Sequence, residues 1–328
     1  MKSIGKTNEF ILIVISLALF VCFGLINPEI FTVANLLSVA RAGIINFIFA
    51  LSVLLIMISG GIDMSFMAIG SLAMYIVVKV VHDRGMNMPI AEAGVLVIFI
   101  GILLGFINAL FVDRLKINPF VVTLGTQSLF KGFLLTFVGT AFIVDLPDNL
   151  MQISQNSLCS VVDRYGKIST LNISAVLVVV LYIGVALFLK YTMTGRSIYA
   201  MGGDSEAATR IGLNLTKLRY IVFGLAGAIA SLGGLTETVL TRTANPSALI
   251  GNELNVIAAV ILGGGNDREG KGTVFGTFLG VLLLTFVNNS LTTLRVPSYW
   301  QEAVSGLIII IGTVGQSYRP KRLKIEKS

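Results

Sequence analysis

The sequence predicts an all-α integral membrane protein with about ten transmembrane helices and both termini in the cytoplasm. Three observations predict it. Of 328 residues, 55% are hydrophobic and only 12% charged, about half the ~25% charge of a soluble domain, and mean hydropathy is +0.89. The apolar residues fall in runs close to the ~20 residues that a helix needs to cross a hydrocarbon core about 30 Å thick. The basic residues are also shared unequally between alternate connections.

The first run, 10–26, follows Lys2 and Lys6 as a signal peptide would. No small-x-small cleavage site follows Phe23, so it reads as a retained first span. Runs 42–58, 93–112 and 171–189 likewise contain no charge. Runs 64–81, 119–142, 220–240, 274–291 and 301–315 complete the long set, with Tyr299 and Trp300 placed for an interfacial belt. Run 253–263 is too short to span and ends in Gly263, Gly264 and Gly265. It reads as a re-entrant or broken helix, tolerated only where protein or a cavity shields its backbone.

Alternating ten segments from a cytoplasmic N-terminus puts sixteen basic residues inside and seven outside, with Lys131 within a span. That excess satisfies the positive-inside rule and requires an even number of spans. Eight spans plus two re-entrant pieces meet the same condition. The stretch 143–170 is then external and polar, the loop 190–219 cytoplasmic, and 316–328 a basic cytoplasmic tail. No linker divides the chain, so 1–328 is expected to form one polytopic domain with its core at 10–315.

Most soluble chemistry lacks its parts. The net charge of +7 sets orientation and implies no acidic partner. No Lys/Arg cluster is interleaved with stacking aromatics, so no nucleic acid is expected. One histidine, His82, and two separated cysteines, Cys22 and Cys159, make no metal-ligand spacing, and no metal or bound cofactor is expected. Residues 265–271 match the opening of a P-loop, G-x-x-x-x-G-K, but Gly272 stands where Ser or Thr would hold magnesium. Asp267 and Glu269 would also repel phosphate, so a tight glycine turn is the better reading. Gly60-Gly61-Ile62-Asp63 is weakly echoed by Gly264-Gly265-Asn266-Asp267, an echo of the kind left by internal repeats in transporters.

In the loop 190–219, Asp204 or Ser205 can cap a short helix with Glu206 in its first turn. Ala207, Ala208 and Gly212 give that helix a small-residue side suited to a partner's groove. Within the spans, Asn46, Asn108, Thr123, Gln127, Asn288 and Asn289 are either interhelical hydrogen-bonding groups or polar lining of a path. Lys131 costs about 2.5–3.5 kcal/mol at mid-membrane, so it faces a cavity or pairs with an acid such as Glu237, Glu253 or Glu302. Gly101/Gly105 and Gly276/Gly280 have the G-x-x-x-G spacing of close helix packing, expected within the subunit.

The stretch 194–213 resembles the coupling loop of permease subunits of bacterial ABC importers. Gly60-Gly61-Ile62-Asp63-Met64-Ser65 resembles the G-G-I-D-L-S signature of the ribose-type sugar and autoinducer-2 branch. Asn118-Pro119-Phe120-Val121-Val122-Thr123-Leu124-Gly125-Thr126 resembles its P-x-x-x-T-L-G-T element. Ala258-Ala259-Val260-Ile261-Leu262-Gly263-Gly264, followed by Gly276-Thr277, resembles its A-A-V-x-x-G-G…G-T pattern. Phe66-Met67 and Asn266-Asp267-Arg268-Glu269 depart from that family's usual residues. The resemblance spans nearly the whole chain and implies a bacterial inner-membrane permease for a small carbohydrate or a sugar-like signal. It further implies a second permease subunit, identical or homologous, and an extracytoplasmic binding protein. Separate cytoplasmic ATPase subunits would use the ATP and dock on Gly203, Asp204, Glu206, Ala207, Ala208, Arg210 and Gly212. The rival reading, an ion-coupled secondary transporter, calls for acids at mid-depth, where only Glu237 approaches.

Overall fold

The computed structural model describes residues 2–162, 168–267 and 269–317, with backbone alone for 2–8 and 312–317. The basic residues of the tail, Arg319 to Lys327, and the charges Asp163, Arg164, Lys167 and Arg268 lie outside the described residues.

Each of the ten expected runs contains a helix: α1 Lys2–Ile26, α2 Val33–Ile58, α3 Phe66–Asp83, α4 Ile90–Leu115, α5 Pro119–Phe133, α7 Ser174–Tyr191, α10 Leu215–Thr241, α11 Glu253–Leu262, α12 Val274–Thr293 and α13 Ser298–Ser317. Among the described residues, eight helices are long and apolar enough to cross a membrane, while α11 is shorter. Local chemistry sets their starts. Thr32 caps α2 by accepting from the Asn35 amide at 3.2 Å, nine residues before the expected start. The helix absorbs Arg41, whose guanidinium donates to Thr170 at 3.3 Å. Asn118 and Thr273 cap α5 and α12 in the same way, and Pro119 occupies the first turn of α5, where its missing N–H is harmless.

The polar stretch after α5 is more ordered than a loop. A π-helical turn at Leu134–Val138 closes α5. It is followed by α6 Asp148–Gln155 and an antiparallel hairpin of β1 Ser157–Val162 and β2 Ile168–Asn172. β2 therefore occupies the residues expected to open the sixth span, which starts instead at Ser174. Cys22 and Cys159 are both free and exposed. The loop 190–219 contains α8 Met193–Gly203 and α9 Ser205–Arg210.

From Phe47 to Ile58 helix α2 is buried on every side and forms the centre, as helices apolar all round do, with α3, α10 and α12 also largely buried around it. Phe47 of α2 stacks on Phe278 of α12 with centroids 5.0 Å apart, and Tyr182 of α7 donates to the Phe47 carbonyl at 3.2 Å. Lipid tails are as apolar as Leu, so close packing replaces water exclusion as the cohesive force. A Cβ at Gly101 or Gly105 would fall on the Gly227 or Phe223 carbonyl of α10, and one at Gly276 or Gly280 on the Gly263 or Ala259 carbonyl of α11. Both G-x-x-x-G pairs thus pack helices within the subunit.

Candidate functional site

Asp204 has extended backbone, and its Oδ1 accepts from the Ala207 amide at 2.9 Å, capping α9. Glu206 in the first turn pairs with Arg210 across 3.6 Å, both almost fully exposed. Ala207 is exposed, Ala208 buried, and Ile211 exposed beyond the last turn. Gly212 has φ +84° and ends the helix, and the Leu213 amide bonds back to the Ala208 carbonyl. A side chain is strained in that left-handed conformation. The α9 segment is therefore a short, rigidly capped projection whose outer face is small, apolar and rimmed by opposite charges.

Three turns meet beneath this projection. Gly202, at the end of α8, lies so close to the end of α2 that a Cβ there would fall on the Ile58 carbonyl. Gly60, with φ +94°, faces Gly202 and the Asp267 carbonyl, and Gly270 lies against Gly202 and Gly203. The stretch 265–271 is a tight turn closed by paired backbone bonds between Asn266 and Lys271 at 2.8 and 3.0 Å. Tyr199 of α8 donates to the Gly272 carbonyl at 2.9 Å, and burial holds its phenol above the ordinary value, keeping it a donor. The two Gly-Gly-x-Asp echoes are thus neighbours in space.

A cavity of about 960 Å³ opens beside these turns, between Gly60, Lys116, Pro119, Gly203, Glu206 and Arg219. At its edge Asp113 accepts from Arg219 at 2.6 Å, Lys116 at 3.1 Å and Thr216 at 3.0 Å, fastening the end of α4 to the start of α10. Above it, Asp63 is buried. Its Oδ1 accepts from the Ser65 amide at 2.6 Å and the Ser65 hydroxyl at 2.7 Å. Burial raises its pKa to about 6 against those two stabilising bonds.

The expected polar residues fall in different places. Asn108 and Thr123 are fully buried; Asn108 donates to Ser65 at 2.7 Å, and Thr123 accepts from the Met64 amide at 3.0 Å. Gln127 donates to Glu253 at 2.7 Å. At the far ends of α2 and α12, Asn289 donates to Asn35 at 3.0 Å, and Asn288 accepts from Ser305 at 2.7 Å. Asn46 is half-buried in α2. Lys131 is exposed on α5, on a side shared with Leu124, Gly125 and Ser128. Among the described residues no ion pair joins it to Glu237, Glu253 or Glu302; Glu253 is held by Gln127 and the Gly251 amide. Sequence reasoning missed the bonds of Asp113 to Thr216 and Arg219 and of Ser65 to Asn108, which join residues distant in the chain; the polar Asp113-Arg114 step at the end of an apolar run was the available signal.

A family profile described as the permease component of a branched-chain amino acid transport system matches residues 35–312. The chain belongs to that family. It is a multi-pass protein of the inner membrane. The permease is 31% identical over 319 residues to the ribose import permease protein RbsC of Haemophilus influenzae, covering 95% of this chain and 93% of that one. It is 30% identical to RbsC of Escherichia coli K12, covering 91% and 90%. It is also 30% identical to the autoinducer 2 import system permease protein LsrC of Escherichia coli O157:H7, covering 94% and 87%. No solved structure matches the chain.

Proposed function

We propose that this permease is the membrane-spanning subunit of a binding-protein-dependent ABC importer for a ribose-like monosaccharide. The carrying observation is the 31% identity to a ribose import permease along 95% of the chain. Similar identity to an autoinducer 2 permease supports a second reading, the same machinery importing that sugar-like signal. ATP hydrolysis belongs to separate cytoplasmic subunits, an extracytoplasmic binding protein delivers the substrate, and a second permease subunit completes the path. The chain itself holds no cofactor or metal.

In this reading the chain is one polytopic domain crossing ten times with both termini inside, supported by the sixteen-to-seven distribution of basic residues. The ATPase docks on Gly203, Asp204, Glu206, Ala207, Ala208, Arg210 and Gly212, where α9 presents a small face between opposite charges. The path runs along α5. Lys131 projects into it, because an exposed lysine at depth is costly against lipid. Thr123 and Gln127 hold that helix from behind, Asn108 braces the Ser65 turn beside it, and Asn46 and Asn288 contribute polar groups toward the other end.

The test is uptake of labelled ribose into proteoliposomes containing the permease with its ATPase and binding protein. ATP-dependent accumulation supports the sugar reading, and accumulation of autoinducer 2 alone supports the second. Uptake that persists without ATP but collapses with the proton gradient would overturn both.

A further inference from the structure

At the end of α2 remote from Gly60, about 39 Å away for 26 residues at ~1.5 Å each, a second cavity of about 310 Å³ lies between the start of α2, strand β2 and the end of α12. No residue of α5 or of the α8–α9 segment lines it. The volume is at the lower end of the roughly 300–1,000 Å³ typical of small-molecule sites.

The wall is unusual in how its hydrogens are used. Thr292 and Thr293 donate to the carbonyls of Asn288 and Asn289 at 2.9 and 3.0 Å. Ser38 donates to the Ala34 carbonyl at 3.1 Å. Buried Asn35 donates to the Ile30 carbonyl at 3.2 Å and receives from Asn289. The hydroxyl hydrogens of Thr292, Thr293 and Ser38 are spent on the protein while their oxygens keep lone pairs to offer, and Asn35 and Asn289 each keep one amide hydrogen. Glu29 adds a carboxylate and Arg295 a guanidinium to the wall. Their charges cancel, so the cavity favours neither phosphate nor a divalent cation. A ligand matched to it is small, uncharged and rich in O–H donors, with oxygens for Arg295.

We propose that this cavity is a binding site for a small neutral polyol, separate from the path along α5. The assignment rests on the cavity itself and not on the identity of the transported substrate.

The experiment is saturation-transfer NMR of D-ribose and of glycerol with the full-length permease in lipid nanodiscs. At least one polyol gives a signal that falls fivefold or more in the Ser38→Val/Thr292→Val double variant and persists in Lys131→Met, whatever happens to uptake there. Glu29→Gln, at a half-exposed position, lowers the signal at least threefold and serves if the double variant loses its thermal transition. No signal with either polyol, or equal signals in wild type and both cavity variants, overturns the proposal. So does a signal lost in Lys131→Met and kept in the cavity variants.

Discussion

The side-chain amide of Gln127 donates to the buried carboxylate of Glu253 at 2.7 Å, tying the middle of α5 to the first residue of the short helix α11. Both carboxylate oxygens also receive the Gly251 amide, at 3.1 and 2.9 Å. A hydrogen bond to a charged group contributes about 1.5–3 kcal/mol. Gln127→Leu should therefore lose stability of that order, and Gln127→Glu more, because it sets like charges together. Thermal unfolding of the purified protein in detergent measures both. Unchanged melting in Gln127→Glu would refute the tie.

Gly105 of α4 and Gly125 of α5 should behave oppositely. Gly105→Val drives a branched side chain into the backbone of α10 and should cost about 3 kcal/mol or more, seen as poor yield and early melting. Gly125→Ala on α5 meets open space and should melt like the wild type. Equal behaviour of the two variants would contradict the packing described.

Asp63 gives a pH dependence of definite sign. Its folded-state pKa, raised from 3.8 to about 6 by burial, makes the charged form the disfavoured one. The penalty is absent below about pH 4, grows between pH 4 and 6, and is complete above, at about 3 kcal/mol for a shift near two units. Asp63→Asn keeps an oxygen for Ser65 and removes the titration. Its melting temperature should exceed the wild-type value above pH 6, and the two curves should converge toward pH 4. Parallel curves would rule this out.

The α9 segment gives a prediction about assembly. Gly212→Trp places a side chain in a strained backbone at the rim of the projection, and Glu206→Arg turns an ion pair into a repulsion. Both variants should insert at normal levels while ATPase copurification falls by roughly tenfold, which corresponds to about 1.4 kcal/mol of lost docking free energy. Normal copurification and normal uptake in both would move the docking surface elsewhere.

What could be read from the sequence was local or periodic. Apolar runs located ten of the thirteen described α-helices, the cap expected at Asp204 or Ser205 is Asp204, and G-x-x-x-G spacing marked the crossings of α4 with α10 and of α11 with α12. Arg41 misled, since a charge looked like the edge of a span. Its guanidinium instead reaches Thr170, a partner 129 residues away. The hairpin Ser157–Val162 with Ile168–Asn172 was hidden because its polar surroundings read as loop. Within the candidate site, the Ser65–Asn108 bond and the meeting of Gly60, Gly202 and Gly270 depend on long-range placement, which no local pattern records.

The three-turn junction also bears on how displacement passes through the molecule. Side chains absorb small movements by changing rotamer, so a layer of them acts as a compliant pad. Between Gly202 and Ile58, and between Gly270 and Gly202, backbone lies against backbone with no pad. A push on α9 therefore reaches the end of α2 and the turn before α12 with little lost to local adjustment. Inserting a single methyl group at Gly202 would not loosen this junction; it would shift the rest position of all three elements together.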